Sequence, residues 1–408
     1  MTLDLEFVRK QFPAFSEPSL QGWAFFENAG GSYPCKQVIK RLTDFYMKNK
    51  VQVNYPYPAS IMAGRLMDAS YKRMADYLNV DPTEVHFGPS TTQNIYVLAN
   101  AMRPMWENGD EIIVSCQDHE ANAGAWRRLA DRGMIIKEWH VDRDTGLLSL
   151  EELDSLISKR TKMVAFPHCS NVIGHINPVK AISQRAHDYG ALSVVDGVGY
   201  APHGFPDLKE LGADIYLFSL YKTFGPHLGL MYVDKELIGK MENQSHFFKE
   251  GITRSMLTPA GPDHAQIAAA SGILDYFDLV YEHHFKEQAG PAERNRAVNS
   301  LFQNHETKLL GPLLDFLKSR DDVQIVGPDT SKERAPIVSI IPRKKNIKKV
   351  YATLTEHKLM LGMGNFYAVR PLDDMKIPRQ PGVIRISFLH YTSMEDIDQL
   401  IEGLKVAL

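Results

Sequence analysis

The chain is poor in cysteine, has no long apolar run and carries no excess of charge of either sign. Its three cysteines, Cys35, Cys116 and Cys169, are an odd number without regular spacing in 408 residues. That excludes a disulfide framework or a zinc ribbon as the organising feature. No stretch approaches the ~18 consecutive apolar residues of a membrane span, and the opening MTLDLEFVRKQF has no basic segment leading into an apolar one. With 46 Lys and Arg against 49 Asp and Glu, and no aromatic-basic stripe, a nucleic-acid partner is not expected. The one dense basic run, 343–349, stands between an apolar strand-like run and a helix-like one and reads as a solvated loop and helix start. What remains is an ordinary globular composition, 44% hydrophobic and 23% charged. A cytoplasmic protein with no membrane partner is expected.

At ~100–200 residues per domain, the length suits a large α/β unit with a smaller companion. Apolar, β-branched runs at 111–114, 134–136, 163–166, 192–195, 215–218 and 229–233 alternate with helix-like stretches such as 121–132, 150–158 and 178–189. This strand-then-helix rhythm predicts a mostly parallel sheet covered by helices on both faces. After about residue 260 the pattern changes to long helical stretches through 264–320, strands near 323–326, 336–341 and 383–388, and helices near 346–358 and 393–407. The expected division is a large domain over 21–260 and a small α+β domain over 261–408, with segment 1–20 packing near the small domain.

In such sheets ligands bind beyond the carboxyl ends of the strands. Three of those ends are unusual. Gly88-Pro89-Ser90-Thr91-Thr92-Gln93-Asn94 precedes an apolar helical stretch, which places hydroxyls and free N–H groups at a helix N-terminus, suited to a phosphate. The run 192–195 ends in Asp196-Gly197, a carboxylate that needs a cationic neighbour if buried. The run 215–218 leads into Ser219-Leu220-Tyr221-Lys222 and a Gly225-Pro226 turn. Each feature alone reads as an N-cap, a strand end or a surface lysine. Together they are the three anchors of pyridoxal 5'-phosphate: a phosphate cradle, a carboxylate for the pyridinium nitrogen and a lysine for the Schiff base. His119, in Asp118-His119-Glu120-Ala121-Asn122, adds a ring able to stack on the cofactor and exchange protons. No second histidine stands at ligand spacing from it, so no metal site is expected.

These residues resemble the class V aminotransferase and cysteine desulfurase group of fold type I pyridoxal-phosphate enzymes, over nearly the whole chain. Ser90, Thr91 and Thr92 are similar to the group's phosphate loop, and His119 to its ring-stacking histidine. Ser170-Asn171-Val172-Ile173-Gly174 resembles a segment whose asparagine meets the cofactor ring or the substrate carboxylate. Asp196 resembles the pyridinium partner, and the motif from Ser219 through Tyr221 to Lys222 resembles the Schiff-base step. The resemblance implies that Arg385, in Val383-Ile384-Arg385-Ile386-Ser387, forks onto the substrate's α-carboxylate. It also implies that Asn28, Ala29 and Gly30 close over that carboxylate, and that Thr258 reaches the phosphate of a partner subunit in a homodimer with shared active sites.

One departure matters most. The desulfurases carry a persulfide-forming cysteine in a mobile loop, where this chain reads Gly362-Met363-Gly364-Asn365-Phe366-Tyr367 and has no cysteine beyond Cys169. Tyr367 cannot accept sulfane sulfur as a thiolate does. Tyr221 also replaces a common histidine, and Val198-Gly199-Tyr200 replaces a glutamine against the ring's phenolic oxygen. The expected reaction is therefore Cβ–S, or related C–C, cleavage of a cysteine-like or cysteine-sulfinate-like amino acid without a persulfide. The product is protonated or captured by an aldehyde, with Lys222 and His119 as the catalytic proton handlers. An aminotransferase or epimerase on the same scaffold is the alternative. Phe366, Tyr367, Tyr57, His390 and Tyr391 are expected to line or flank the pocket.

Overall fold

The computed structural model describes residues 2–408. Seven strands build the large sheet: β1 (Val85–Gly88), β2 (Glu111–Ser115), β3 (Ile135–Trp139), β4 (Thr161–Pro167), β5 (Leu192–Asp196), β6 (Ile215–Ser219) and β7 (Gly229–Val233). They lie in the order β1-β7-β6-β5-β4-β2-β3, and only β7 runs against its neighbours. This is the mostly parallel α/β sheet that the strand-helix rhythm predicts. Alternate side chains of a strand face opposite ways, and here both faces are covered. Val164 and Phe166 enter one apolar core while Met163 and Ala165 enter the other. That is why these strands read as unbroken apolar runs. β1 was not foreseen: it is four residues long with His86 in its middle, too little apolar signal to stand out.

A second sheet of β8 (Val323–Val326), β9 (Ile337–Pro342), β10 (Gly362–Gly364) and β11 (Val383–Ser387) is antiparallel, in the order β10-β11-β9-β8. The expected boundary at 260/261 does not match the cores. Helices α1 (Lys36–Lys48), α2 (Pro58–Leu78), α3 (Thr91–Met102), α4 (His264–His284) and α5 (Pro291–Lys318) show why. The buried face of α4, from Ala265 to Tyr281, lies in the large core with Val38 and Met74 of α1 and α2. The first half of α5 contributes Val298, Leu301 and Phe302 to that core, and its second half contributes Leu309, Leu313 and Leu317 to the small one. The change of core therefore falls inside one continuous helix, which no loop signal marks. At the other end, Ala24 and Phe26 belong to the small core, through a parallel pairing of Ala24–Phe25 with Leu359–Met360. The N-terminal segment touches both units: Val8 and Phe12 enter the large core, while Arg9 donates to the Tyr391 carbonyl and pairs with Asp396.

Candidate active site

A cavity of about 790 Å³ opens at the carboxyl ends of β2, β5 and β6 and at the N-terminus of α3. Ser90 caps α3, its Oγ accepting from the Gln93 N–H at 3.2 Å, and Thr91 and Thr92 form the first turn. Gly229 of β7 lies so close beneath that a Cβ there would stand 2.5 Å from the Thr91 nitrogen. Only glycine lets the strand end approach the helix N-terminus this closely. Among the described residues Thr91 Oγ1 is buried with no hydrogen-bond partner. A bound phosphate oxygen would satisfy it, and Ser219 and the exposed His227 face the same cavity.

Across the cavity Asp196 is buried, and its Oδ1 accepts from the Val198 N–H at 2.8 Å. Burial raises its pKa to about 6, against the opposing pull of that N–H and of Lys222. Asp118 lies beside it. Burial and the neighbouring Asp196 push the Asp118 carboxyl well above the usual range. Asp118 also accepts from Asn122 at 2.7 Å, and Asn122 in turn accepts from the Trp126 indole at 3.1 Å.

Lys222 ends the short turn that follows β6. Burial and Arg385 lower its ammonium to about 8, with Asp196 and Glu27 pulling the other way. A lysine so shifted is a better nucleophile and base near neutrality than a free surface amine. His119 accepts the Ala121 N–H at Nδ1 (3.0 Å), which leaves the ring proton on Nε2. Burial, Lys222 and Arg385 bring its pKa down to about 4, so the imidazole is neutral at neutral pH. Asn171 donates to the Phe366 carbonyl at 3.0 Å, and its Oδ1 is buried without a partner among the described residues.

These residues fit the cofactor: hydroxyls at a helix N-terminus, a buried carboxylate and a lysine of lowered pKa converge on one cavity. A sequence profile of the family described as Aminotransferase class-V matches residues 24–251 and 298–400. The chain belongs to the class-V aminotransferase family. An aminotransferase-like protein of Gibberella zeae is 34% identical over 100% of this chain and 99% of its own length. A cysteine desulfurase-like protein of Aspergillus flavus is 30% identical over 97% of this chain and 88% of its own. The solved cysteine desulfurase of Thermococcus onnurineus superimposes with a TM-score of 0.85 at 25% identity, covering 100% of this chain and 98% of that one. The protein is a pyridoxal-phosphate-dependent enzyme of this class-V, cysteine desulfurase-like family.

Of the expected site residues, Ser90, Thr91, Thr92, His119, Asn171, Asp196, Ser219, Tyr221, Lys222 and Tyr367 line the cavity. Other expected members stand elsewhere. Arg385 does not line it: its guanidinium is buried, paired with Glu27 and covered by the Phe366 ring. Asn28 is held by the Ser387 carbonyl, to which it donates at 3.1 Å, and by the Tyr391 hydroxyl. Asn28 and Ala29 face a crevice of about 10 Å³ on the other side of Lys222, too small for a substrate. The Gly30 carbonyl accepts the Tyr221 hydroxyl, so that phenol is turned toward the opening loop and not toward a phosphate. Thr258 lies in the loop after the short helix Thr253–Met256 and does not line this chain's cavity. Of the expected aromatics, Tyr57 is exposed at the start of α2. His390 is buried against Tyr276 (2.7 Å) and Phe302, and Tyr391 against Asn28. Tyr200 stacks on His168 at 3.7 Å.

Sequence reading overlooked Asp118, Glu120, His227 and Arg370 as lining residues. Asp118 and Glu120 flank His119 and were legible as strand-end residues, whereas nothing local marks Arg370, which reaches the cavity by pairing with Glu120. That pair and Tyr367 separate the cavity from an adjoining chamber of about 590 Å³. There the ligand atoms of Cys116, Glu138 and His140 lie within 4.8 Å of one another, but Arg127 takes Glu138 and Asp374 takes His140. The neighbouring guanidinium disfavours a cation at that cluster.

Proposed function

We propose that this enzyme breaks the bond from Cβ to a sulfur or carbon substituent of a small amino acid without forming a persulfide. The single observation that carries this reading is the loop over the cavity. Tyr367 is 73% exposed there, its carbonyl accepts from the Glu120 N–H at 2.8 Å, and its ring stands 5.5 Å from His119. The three thiols are all buried. Burial raises Cys35 and Cys169 to about 12 and Cys116 to about 11. None is a thiolate near neutral pH, so sulfane sulfur has no acceptor on the protein.

That restriction selects the leaving group. When bound, pyridoxal phosphate withdraws electrons from Cα of an amine substrate. Lys222 Nζ takes the Cα proton, and neutral His119 is a second proton carrier within the cavity. A sulfinate departs as sulfur dioxide, or a carboxylate as carbon dioxide, leaving its bonding pair on Cβ. Cβ then takes a proton or the carbonyl carbon of an aldehyde. No oxidant and no sulfur acceptor is needed. Cysteine itself would lose hydrosulfide, which carries its pair away.

The relative at 34% identity is described as aminotransferase-like, which supports the second reading of Cα chemistry alone. Incubation with cysteine sulfinate in deuterated water, with and without an aldehyde, separates the two. Sulfite with β-deuterated alanine or an aldehyde adduct is expected; substrate returned with deuterium at Cα alone supports the second. The unit is a homodimer in this proposal, with Thr258 serving the partner's phosphate site. That Thr258 does not line this chain's cavity, and that Phe247 and Phe248 a short way before it in the chain are 85% and 67% exposed, support that arrangement.

A further inference from the structure

Arg385 is held in an unusual way for a group that is to receive a ligand. It is 2% exposed on β11, and its Nη2 donates to Glu27 Oε1 at 2.6 Å. Its Nη1 donates to the Asn171 carbonyl at 3.1 Å, and the Phe366 ring covers the guanidinium face at 3.8 Å. Among the described residues, Arg385 Nε and Glu27 Oε2 are both buried without a hydrogen-bond partner. The pair is half-made, with one good contact and an unused atom on each side.

The Glu27 carboxylate sits in a slot shaped for it. A Cβ on Gly30 would stand 2.5 Å from Oε1, and a Cβ on Gly362 would stand 2.6 Å from Oε2. Two glycines from separate loops thus leave the room this carboxylate fills. Its side chain is 29% exposed against 3% for Arg385, so the acid is the partner with a way out. Asn171, which touches Arg385 through its carbonyl, lines the main cavity with Lys222. The fork is one residue away from the chemistry but closed.

We infer that Glu27 is an internal carboxylate that occupies Arg385 in the resting enzyme, and that a substrate's α-carboxylate binds by replacing it. This rests on the reading that the substrate is an amino acid. Glu27 is then a specificity-determining residue: it sets how strong a carboxylate must be, through its attached amine and side chain, to open the fork. A weak monocarboxylate is excluded, whereas a substrate whose amine would also be held by the cofactor gains enough to displace the acid.

The test uses the cofactor-loaded enzyme and propionate, which has a carboxylate and no amine, read by calorimetry and by competition with substrate. Glu27→Gln keeps the side chain's size and removes its charge, and should bind propionate about ten- to a hundredfold more tightly than wild type. Glu27→Asp withdraws the carboxylate by one methylene and should tighten binding to a lesser degree; it serves if the glutamine variant folds poorly. Adding Arg385→Gln should abolish the gain in either background, a coupling that a merely structural pair would not give. Equal or weaker propionate binding in folded Glu27→Gln and Glu27→Asp overturns the inference. The readout does not depend on the reaction. Tightened binding without Cβ cleavage contradicts the proposed function alone, and Cβ cleavage with unchanged binding contradicts this inference alone.

Discussion

At the scale of single residues the site is a set of groups held away from their solution behaviour. Lys222 is brought down to about 8 and Asp196 up to about 6, both chiefly by burial, so the two approach each other in proton affinity across the cavity. Lys222→Ala should remove the cofactor's lysine-linked visible absorption band and reduce turnover by at least three orders of magnitude, on the order of 4 kcal/mol of barrier. Absorption spectra and steady-state rates check this, and a variant with wild-type rate would remove Lys222 from the mechanism. Most of these residues were legible because each follows an apolar strand and carries a polar group where packing alone would not ask for one. Arg385 was legible as an arginine inside an apolar run, but its partner was not. Glu27 is 358 positions away in sequence, and only the fold brings the two together.

At the scale of elements, the cradle depends on how closely β1, β7 and α3 approach one another. Gly229→Ala would set a methyl group against the Ser90–Thr91 backbone, which belongs to a capped helix end and cannot yield as a flexible side chain would. The expected result is at least tenfold weaker retention of pyridoxal phosphate with a stability loss of about 1–3 kcal/mol, measured by fluorescence titration and urea unfolding. Undiminished cofactor affinity would show that the cradle lies elsewhere. The loop carrying Tyr367 is a second such element. Phe366 and Tyr367 both adopt positive φ, 52° and 56°, a conformation costly to side chains with a Cβ. It is held by the Asn171 amide on one carbonyl and the Glu120 N–H on the next. No pattern in the loop's composition foretold that geometry, since neither residue is glycine or asparagine.

At the scale of the molecule, the strand-helix rhythm was enough for the large sheet, whereas the boundary between cores was hidden. A helix of 28 residues serves both units, with Phe302 facing one and Leu309 the other, and an amphipathic pattern carries no mark of which core it meets. The proposed dimer belongs to this scale. Phe247→Ser with Phe248→Ser should shift the protein toward monomer in sedimentation and, through loss of Thr258 from the partner's site, weaken cofactor retention. An unchanged dimer would move the interface elsewhere. The central claim, bond cleavage at Cβ with no sulfur carried by the protein, is tested most directly by intact-mass measurement of the enzyme during turnover of cysteine sulfinate, with sulfite assayed in parallel. The account predicts an enzyme whose polypeptide mass never rises by a sulfur atom while sulfite and alanine, or its aldehyde adduct, appear in equal amounts. A sulfur-bearing polypeptide, or a keto acid accumulating in place of alanine or its adduct, would contradict it.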